Sequence, residues 1–256
     1  MTRIIASYNI KGGVGKTSTA VNLAYLAARG GARTLVWDLD PQGSSSFLFR
    51  IKAKVKGGGD KLVTGRSDVG GLIRGTDHDR LDLLPADFSY RRMDLALDAT
   101  KKPTRRLARV LAGVADEYDY IFLDCPPSIS LVSESVFEAA GSLLVPLVPA
   151  TLSMRTFPQL ERVLRDGADA PAVLAFFSMV DGRKRMHREV MEQMGRDHAG
   201  LLGTVIPAAT DIERMGLHRS PVAEFAPRGR AALAYEALWA EVLGRLNGGG
   251  DGRAMR

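Results

Sequence analysis

A second cysteine is missing from this chain of 256 residues. Cys125 alone excludes a disulfide framework within one chain and suits a reducing compartment. Long apolar runs are missing as well, and none approaches the roughly 18 residues of a membrane span. The opening MTRIIASYNIKGG has too short an apolar run for a signal peptide. These absences point to a cytoplasmic protein. What is present is an excess of positive charge: 35 Lys and Arg against 29 Asp and Glu, formally +6. That excess fits plain solubility, and it equally fits an anionic partner such as nucleic acid. The length suits one large α/β domain with a sizeable core, two small domains being the alternative.

Apolar, β-rich runs alternate with helical patterns. Strands are expected over Arg3–Ser7, Arg33–Asp38, Arg80–Ala86, Tyr120–Asp124, Ser142–Val148, Ala172–Val180 and Leu202–Pro207. Near-continuous apolar strands between helices argue a mostly parallel, twisted sheet covered on both faces. Arg228–Leu246 has the apolar spacing of a strong final helix. One domain over residues 1–246 follows, with a glycine-rich tail, 247–256, expected to be disordered. Lys56–Gly71 is expected to be a long mobile loop.

The chemistry starts at NIKGGVGKTSTA, Asn9 to Ala20. A phosphate-binding loop normally reads G-x-x-x-x-G-K-[ST]. Counting back from Gly15-Lys16-Thr17, the first glycine is absent: Ile10 stands there, and Lys11 follows. The setting still suits phosphate, because a strand leads into the loop and a helix begins near Lys16. Gly12, Gly13 and Gly15 let the backbone curl around an anion, with Val14 and Ser18 completing the cradle. Lys16 should reach the β- and γ-phosphates, and Thr17 should offer its hydroxyl to Mg²⁺. Two acidic stretches leave strands on the same side: WDLDPQG with Asp38 and Asp40, and FLDCPPS with Asp124. Strand C-termini are where parallel sheets bind ligands, and carboxylates there can hold Mg²⁺ or orient water. One such Asp alone would be a turn or cap residue; three around one loop favour a site.

KGGVGKT, DLDPQGS and DCPPS, in this order and spacing, resemble the ParA/MinD family of deviant Walker A ATPases, in particular its partition members. LDLLPAD, LVPLVPATLSMR and the stretch Thr204–Tyr235 are similar to further family segments, so the resemblance covers nearly the whole chain. It implies a P-loop fold, ATP and Mg²⁺ as cofactors, and weak ATPase activity. It implies that Lys11 is a signature lysine reaching the partner's phosphates across a homodimer that forms with ATP. It also implies that Asp40 supports hydrolysis, so that Lys11, Lys16 and Asp40 act in catalysis. Thr17, Asp40 and Asp124 would surround the metal. Nonspecific DNA and a ParB-like activator are the implied partners, and the ATP-bound form would be nucleoid-associated.

The chain departs from the family in places. No Asn follows the sixth strand in FFSMVDGRKR, so adenine recognition is expected from backbone near Ile206–Pro207. The loop begins at residue 11 with no helix-turn-helix ahead of it, which argues against operator-specific DNA binding. Arg183, Lys184, Arg185 and Arg188, with Arg214, Arg219, Arg228 and Arg230, are candidates for a DNA face. Arg50, Lys52, Lys54 and Lys56 recur every second residue and would share one face of a strand; a solvated basic loop is the plainer reading, and an anion-facing edge for DNA or an acidic partner is the functional one. A MinD-like membrane role needs a basic amphipathic last helix. Here Glu236 and Glu241 interrupt it and only Arg245 is basic, so a core-packing helix and no stable membrane association are expected. Electron transfer through a shared cluster would need more cysteines. A P-loop metabolic enzyme would use the same loop and remains an alternative.

Overall fold

The computed structural model describes residues 2–165 and 170–248. Its elements run β1 (Arg3–Ser7), α1 (Lys16–Arg29), β2 (Thr34–Asp38), α2 (Ser44–Leu48), α3 (Gly58–Val63), β3 (Arg74–Gly75) and β4 (Leu81–Leu84). Then come α4 (Met93–Asp98), α5 (Arg106–Ala112), β5 (Tyr120–Asp124), α6 (Leu131–Ala139), β6 (Ser142–Leu147) and α7 (Thr151–Arg165). β7 (Ala172–Phe177), α8 (Arg185–Asp197), α9 (Thr210–His218), α10 (Val222–Phe225) and α11 (Arg230–Gly248) complete it.

The strands form a single sheet in the order β3-β4-β2-β5-β1-β6-β7. Every pairing is parallel except β3 with β4. Successive strand residues face opposite sides, and both sides are buried. Ile5, Val36, Phe122 and Leu144 pack with Leu23 of α1 and Leu238 and Trp239 of α11. Ala6, Leu35, Ile121 and Val145 pack with Leu62, Leu107 and Leu160 on the other side. Two buried faces are why the strands read as continuous apolar runs. The same order brings the ends of β1, β2 and β5 together, which positions the site.

Four expectations need correction. Leu202–Pro207 is no strand; it contributes one parallel bridge, Val180 to Pro207. The Gly203 and Thr204 amides turn instead to the Glu241 carboxylate of α11, at 2.8 and 2.9 Å. The seventh strand is the short antiparallel β3, too brief and polar to show a period. β7 stops at Phe177, and the chain turns at Met179 with φ 56°. Lys56–Gly71 is not a structureless loop, since it contains α3, whose Leu62 and Val63 are fully buried.

The final helix starts two residues later than expected and runs through Gly248. It buries Ala232, Tyr235, Leu238, Trp239 and Val242, as a core-packing helix does. The rest of the glycine-rich tail, 249–256, lies outside the described residues. Among the described residues, no helix is long and apolar enough to cross a membrane.

Candidate nucleotide site

Between β1 and α1 the chain makes a tight, heavily anchored loop. The Asn9 side chain ties it down twice. Its Nδ2 donates to the Pro146 carbonyl at 2.8 Å, and its Oδ1 accepts the Lys11 amide at 2.9 Å. Gly13 and Gly15 adopt φ of 70° and 99°, a region that L side chains rarely enter. Space also excludes a larger residue at Gly15, where a Cβ would lie 2.9 Å from Ser178 Oγ. Gly15 is the N-cap of α1, so no side chain caps that helix, and no acidic residue sits in its first turn. Its leading amides and dipole are therefore left open to an anion. Val14 is buried beneath the loop, with Thr17 and Ser18 half-buried in the first turn.

Lys16 is buried, and its Nζ donates to the Lys11 carbonyl at 3.0 Å. Ser7 Oγ holds the Lys16 carbonyl at 2.9 Å. Burial pulls the Lys16 pKa down, and the nearby charges of Asp124, Cys125 and Asp40 pull it back up. Lys11 is half-buried, and its ammonium has no ion pair among the described residues.

Under the loop lie two carboxyls in direct register across β2 and β5, Asp38 beside Asp124. Both are fully buried. Asp38 Oδ2 accepts from the Ser46 amide and hydroxyl, each at 2.8 Å; Asp124 Oδ2 accepts from Ser45 Oγ at 2.7 Å. The other oxygen of each, Oδ1, has no hydrogen-bond partner. Burial, then repulsion from Asp124, pushes Asp38 up to about 8. Burial raises Asp124 to about 6, while the Ser45 and Thr17 hydroxyls restrain it. An unpaired buried acceptor is costly unless a cation or donor meets it. Asp124 Oδ1 and the adjacent Thr17 hydroxyl thus fit a hard cation such as Mg²⁺, which takes one or two protein oxygens and completes its shell with phosphates and water.

Asp40 is half-exposed, and its Oδ1 accepts the Gln42 amide at 2.9 Å in the turn that Gly43 closes. It therefore caps a turn as well as acting electrostatically on Lys16. Cys125 is buried, and burial pushes its thiol well above the ordinary range, which leaves it chemically quiet. Pro207 is half-buried beside Val180, two residues past the Ser178 that abuts Gly15. The Ile206 and Ala208 amides are committed to Phe177 and Val180 carbonyls.

The expected DNA arginines fare differently. Arg183 forks onto Asp181, Arg185 pairs with Glu189, and Arg188 caps the Gly182 carbonyl. Arg214 lies 3.9 Å from Asp211. Arg219 binds the Phe47 carbonyl and stacks on its ring, and Arg230 holds the Ala208 carbonyl. Lys184 and Arg228 are exposed. The structure gathers the loop, Asp38, Asp40 and Asp124 into one site and gives most of these arginines local partners. Sequence reasoning missed Ser45, Ser46, Asn9 and Ser178; serines in a PQGSSS turn give little sign that they hold buried acids.

Comparison with known proteins agrees with this geometry. Residues 2–169 match a family model described as an AAA domain. The sporulation initiation inhibitor protein Soj of Bacillus subtilis is 32% identical over 94% of this chain and 98% of its own. Cobyrinic acid a,c-diamide synthase from Mycobacterium smegmatis, solved with bound ADP and magnesium, superposes with a TM-score of 0.81 at 27% identity, covering 100% of this chain and 98% of that one. The cell division ATPase MinD of Pyrococcus furiosus shares the fold, with a TM-score of 0.77 at 24% identity over 96% of this chain and 100% of that one.

Proposed function

The chain belongs to the ParA/MinD-type P-loop ATPases, and from that premise we propose that it is a Mg·ATP-dependent dimer switch that binds DNA nonspecifically and positions a chromosome, plasmid or other cargo. The observation that carries this reading is the loop itself. Two lysines, Lys11 and Lys16, flank one glycine cradle, above a buried carboxylate with an uncommitted oxygen.

Lys16 leaves the Lys11 carbonyl for the β- and γ-phosphates of its own nucleotide. Lys11, with no ion pair among the described residues, serves the phosphates of a second copy. ATP then favours the dimer, and hydrolysis weakens it. Exposed surface beside the loop suits that contact. Gly12 and Gly13 are open, and Ile129 is 61% exposed two residues from Pro127, which borders Gly12. Thr17 and Asp124 would hold Mg²⁺, which would neutralise charge on the phosphates. Asp40 orients the attacking water. A ParB-like protein on the cargo stimulates hydrolysis.

Base choice follows from the segment at Pro207. Proline has no amide, and the flanking Ile206 and Ala208 amides are committed. The Ile206 and Ala208 carbonyls already accept from the Val180 amide and Arg230, so among the described residues the segment leaves the Pro207 carbonyl as its acceptor for a base. Adenine offers an amino group there, whereas guanine offers an oxygen, so ATP is preferred over GTP.

The full-length likeness to an amide-forming synthase supports a second reading, a P-loop metabolic enzyme. One paired assay separates the readings: binding to random duplex DNA and to anionic liposomes, each with and without Mg·ATP. ATP-dependent, salt-sensitive DNA binding is expected. Binding to liposomes alone points to a MinD-like role, and binding to neither favours the metabolic enzyme.

A further inference from the structure

We propose that the loop after α2 forms a second anion site, a lysine groove that takes the phosphodiester backbone of duplex DNA. It rests on the DNA-binding reading above and places that contact away from the late arginines. Lys52, Lys54, Lys56 and Arg74 line an open groove of about 510 Å³ together with Ile51, Gly75 and Pro85. Among the described residues, the lining holds four cations and no carboxylate. All four are exposed, and none forms an ion pair among the described residues. Asp87 feels the charge of Lys54, but its oxygens receive the Val55 and Ser89 amides.

The backbone under the lysines is held in place. Val55 is buried, with its amide on Asp87 at 2.8 Å. Ala53 packs so closely on Gly43 that a Cβ there would stand 2.9 Å away. No strand forms, yet Lys52, Lys54 and Lys56 reach one groove. Arg50 does not join them: it turns back on Asp77 and on the His218 carbonyl.

Lysine ammonium groups are compact point charges that need no planar match to their anion. A DNA backbone needs only clustered cations, each releasing condensed counterions. The groove suits an acidic peptide strand poorly. β3 is two residues long, and the Arg74 guanidinium already covers the Gly71 and Ile73 carbonyls at 3.0 and 2.8 Å. An added strand would need such edge groups free.

The test measures binding of the full chain with Mg·ATP to fluorescent random duplex DNA across a salt series. In the Lys52→Gln/Lys54→Gln/Lys56→Gln variant, affinity should fall at least about tenfold and the log–log salt slope should shrink by about 2–3. Single Lys54→Gln should remove about 1 from the slope. Basal ATP hydrolysis should stay at the parental rate, showing an intact fold. The Arg183→Gln/Lys184→Gln/Arg185→Gln variant should bind within about twofold of the parent with an unchanged slope. If the parent binds DNA and the lysine variants match it in slope and affinity, the groove assignment falls while the DNA reading stands. If the parent itself does not bind, both fall. Intact DNA binding with lost binding to poly-glutamate would overturn the phosphate assignment and give the groove to an acidic protein.

Discussion

Positive charge meets opposite fates in two regions of this molecule. Around α1, Lys16 is buried, hydrogen-bonded and surrounded by Asp124, Cys125 and Asp40. Around α8, Arg183 and Arg185 are exposed and folded onto carboxylates of their own segment. The loop and first residue of α1 carry two lysines, and the segment around the start of α8 carries three arginines and a lysine within six residues. The difference lies in what the backbone does with them. A glycine loop on a sheet end forces a charge inward, where low dielectric magnifies every partner. A solvated helix lets each arginine find the nearest acid at little gain.

The comparison breaks if the inward charges prove dispensable. Lys16→Ala should lower ATP hydrolysis by at least about 100-fold, since preorganised charge at a phosphoryl site is worth that much; phosphate release checks it. Asp40→Ala should cut turnover by a similar factor of about 100 while leaving ATP binding within about threefold, holding the protein in its ATP-bound dimer. Parental turnover in that variant would remove Asp40 from the mechanism. Lys11→Ala should weaken ATP-dependent dimerisation by about tenfold or more with little change in nucleotide affinity of the monomer, as read by light scattering. Equal dimerisation would refute the bridging role.

Protons sharpen the same contrast. Asp38 sits well above its ordinary value of 3.8, at about 8, because it is buried beside Asp124. The folded chain therefore binds more protons than the unfolded chain across that interval. The resulting stability is fully present below pH 3.8 and is lost as pH rises through about 8. Without magnesium, the unfolding free energy from urea titrations should fall between pH 6 and pH 8.5, with a slope of up to about 1.4 kcal/mol per pH unit. Asp38→Asn should flatten that slope. The smallest effect belongs to the exposed side of the comparison: Arg183→Gln should leave the thermal midpoint unmoved.

Much of the fold was legible because it rests on periodicity. β1, β5 and the start of α1 fall where apolar runs and the glycine loop place them. Leu202–Pro207 misled because an apolar run does not reveal where its amides go; Glu241 of α11 takes two of them, 37 and 38 residues away in sequence. α3 was hidden among glycines, and only packing shows Leu62 and Val63 to be core. At the site, Gly15, Lys16, Asp40 and Asp124 were readable from type and spacing. Ser45, Ser46 and Asn9 were not, since their partners come from other strands.

Residue type and local spacing by themselves determined the alternation of strands and helices, the glycines that accept positive φ, and the presence of two lysines at one loop. These are short-range properties of backbone and side chain. Tertiary structure alone decided which charges count. It set Asp38 against Asp124 across two strands, paired Arg183 and Arg185 away, and gathered Lys52, Lys54, Lys56 and Arg74 around one groove. The physical reason is that electrostatic strength depends on distance and burial, and only the assembled sheet and its covering elements set either.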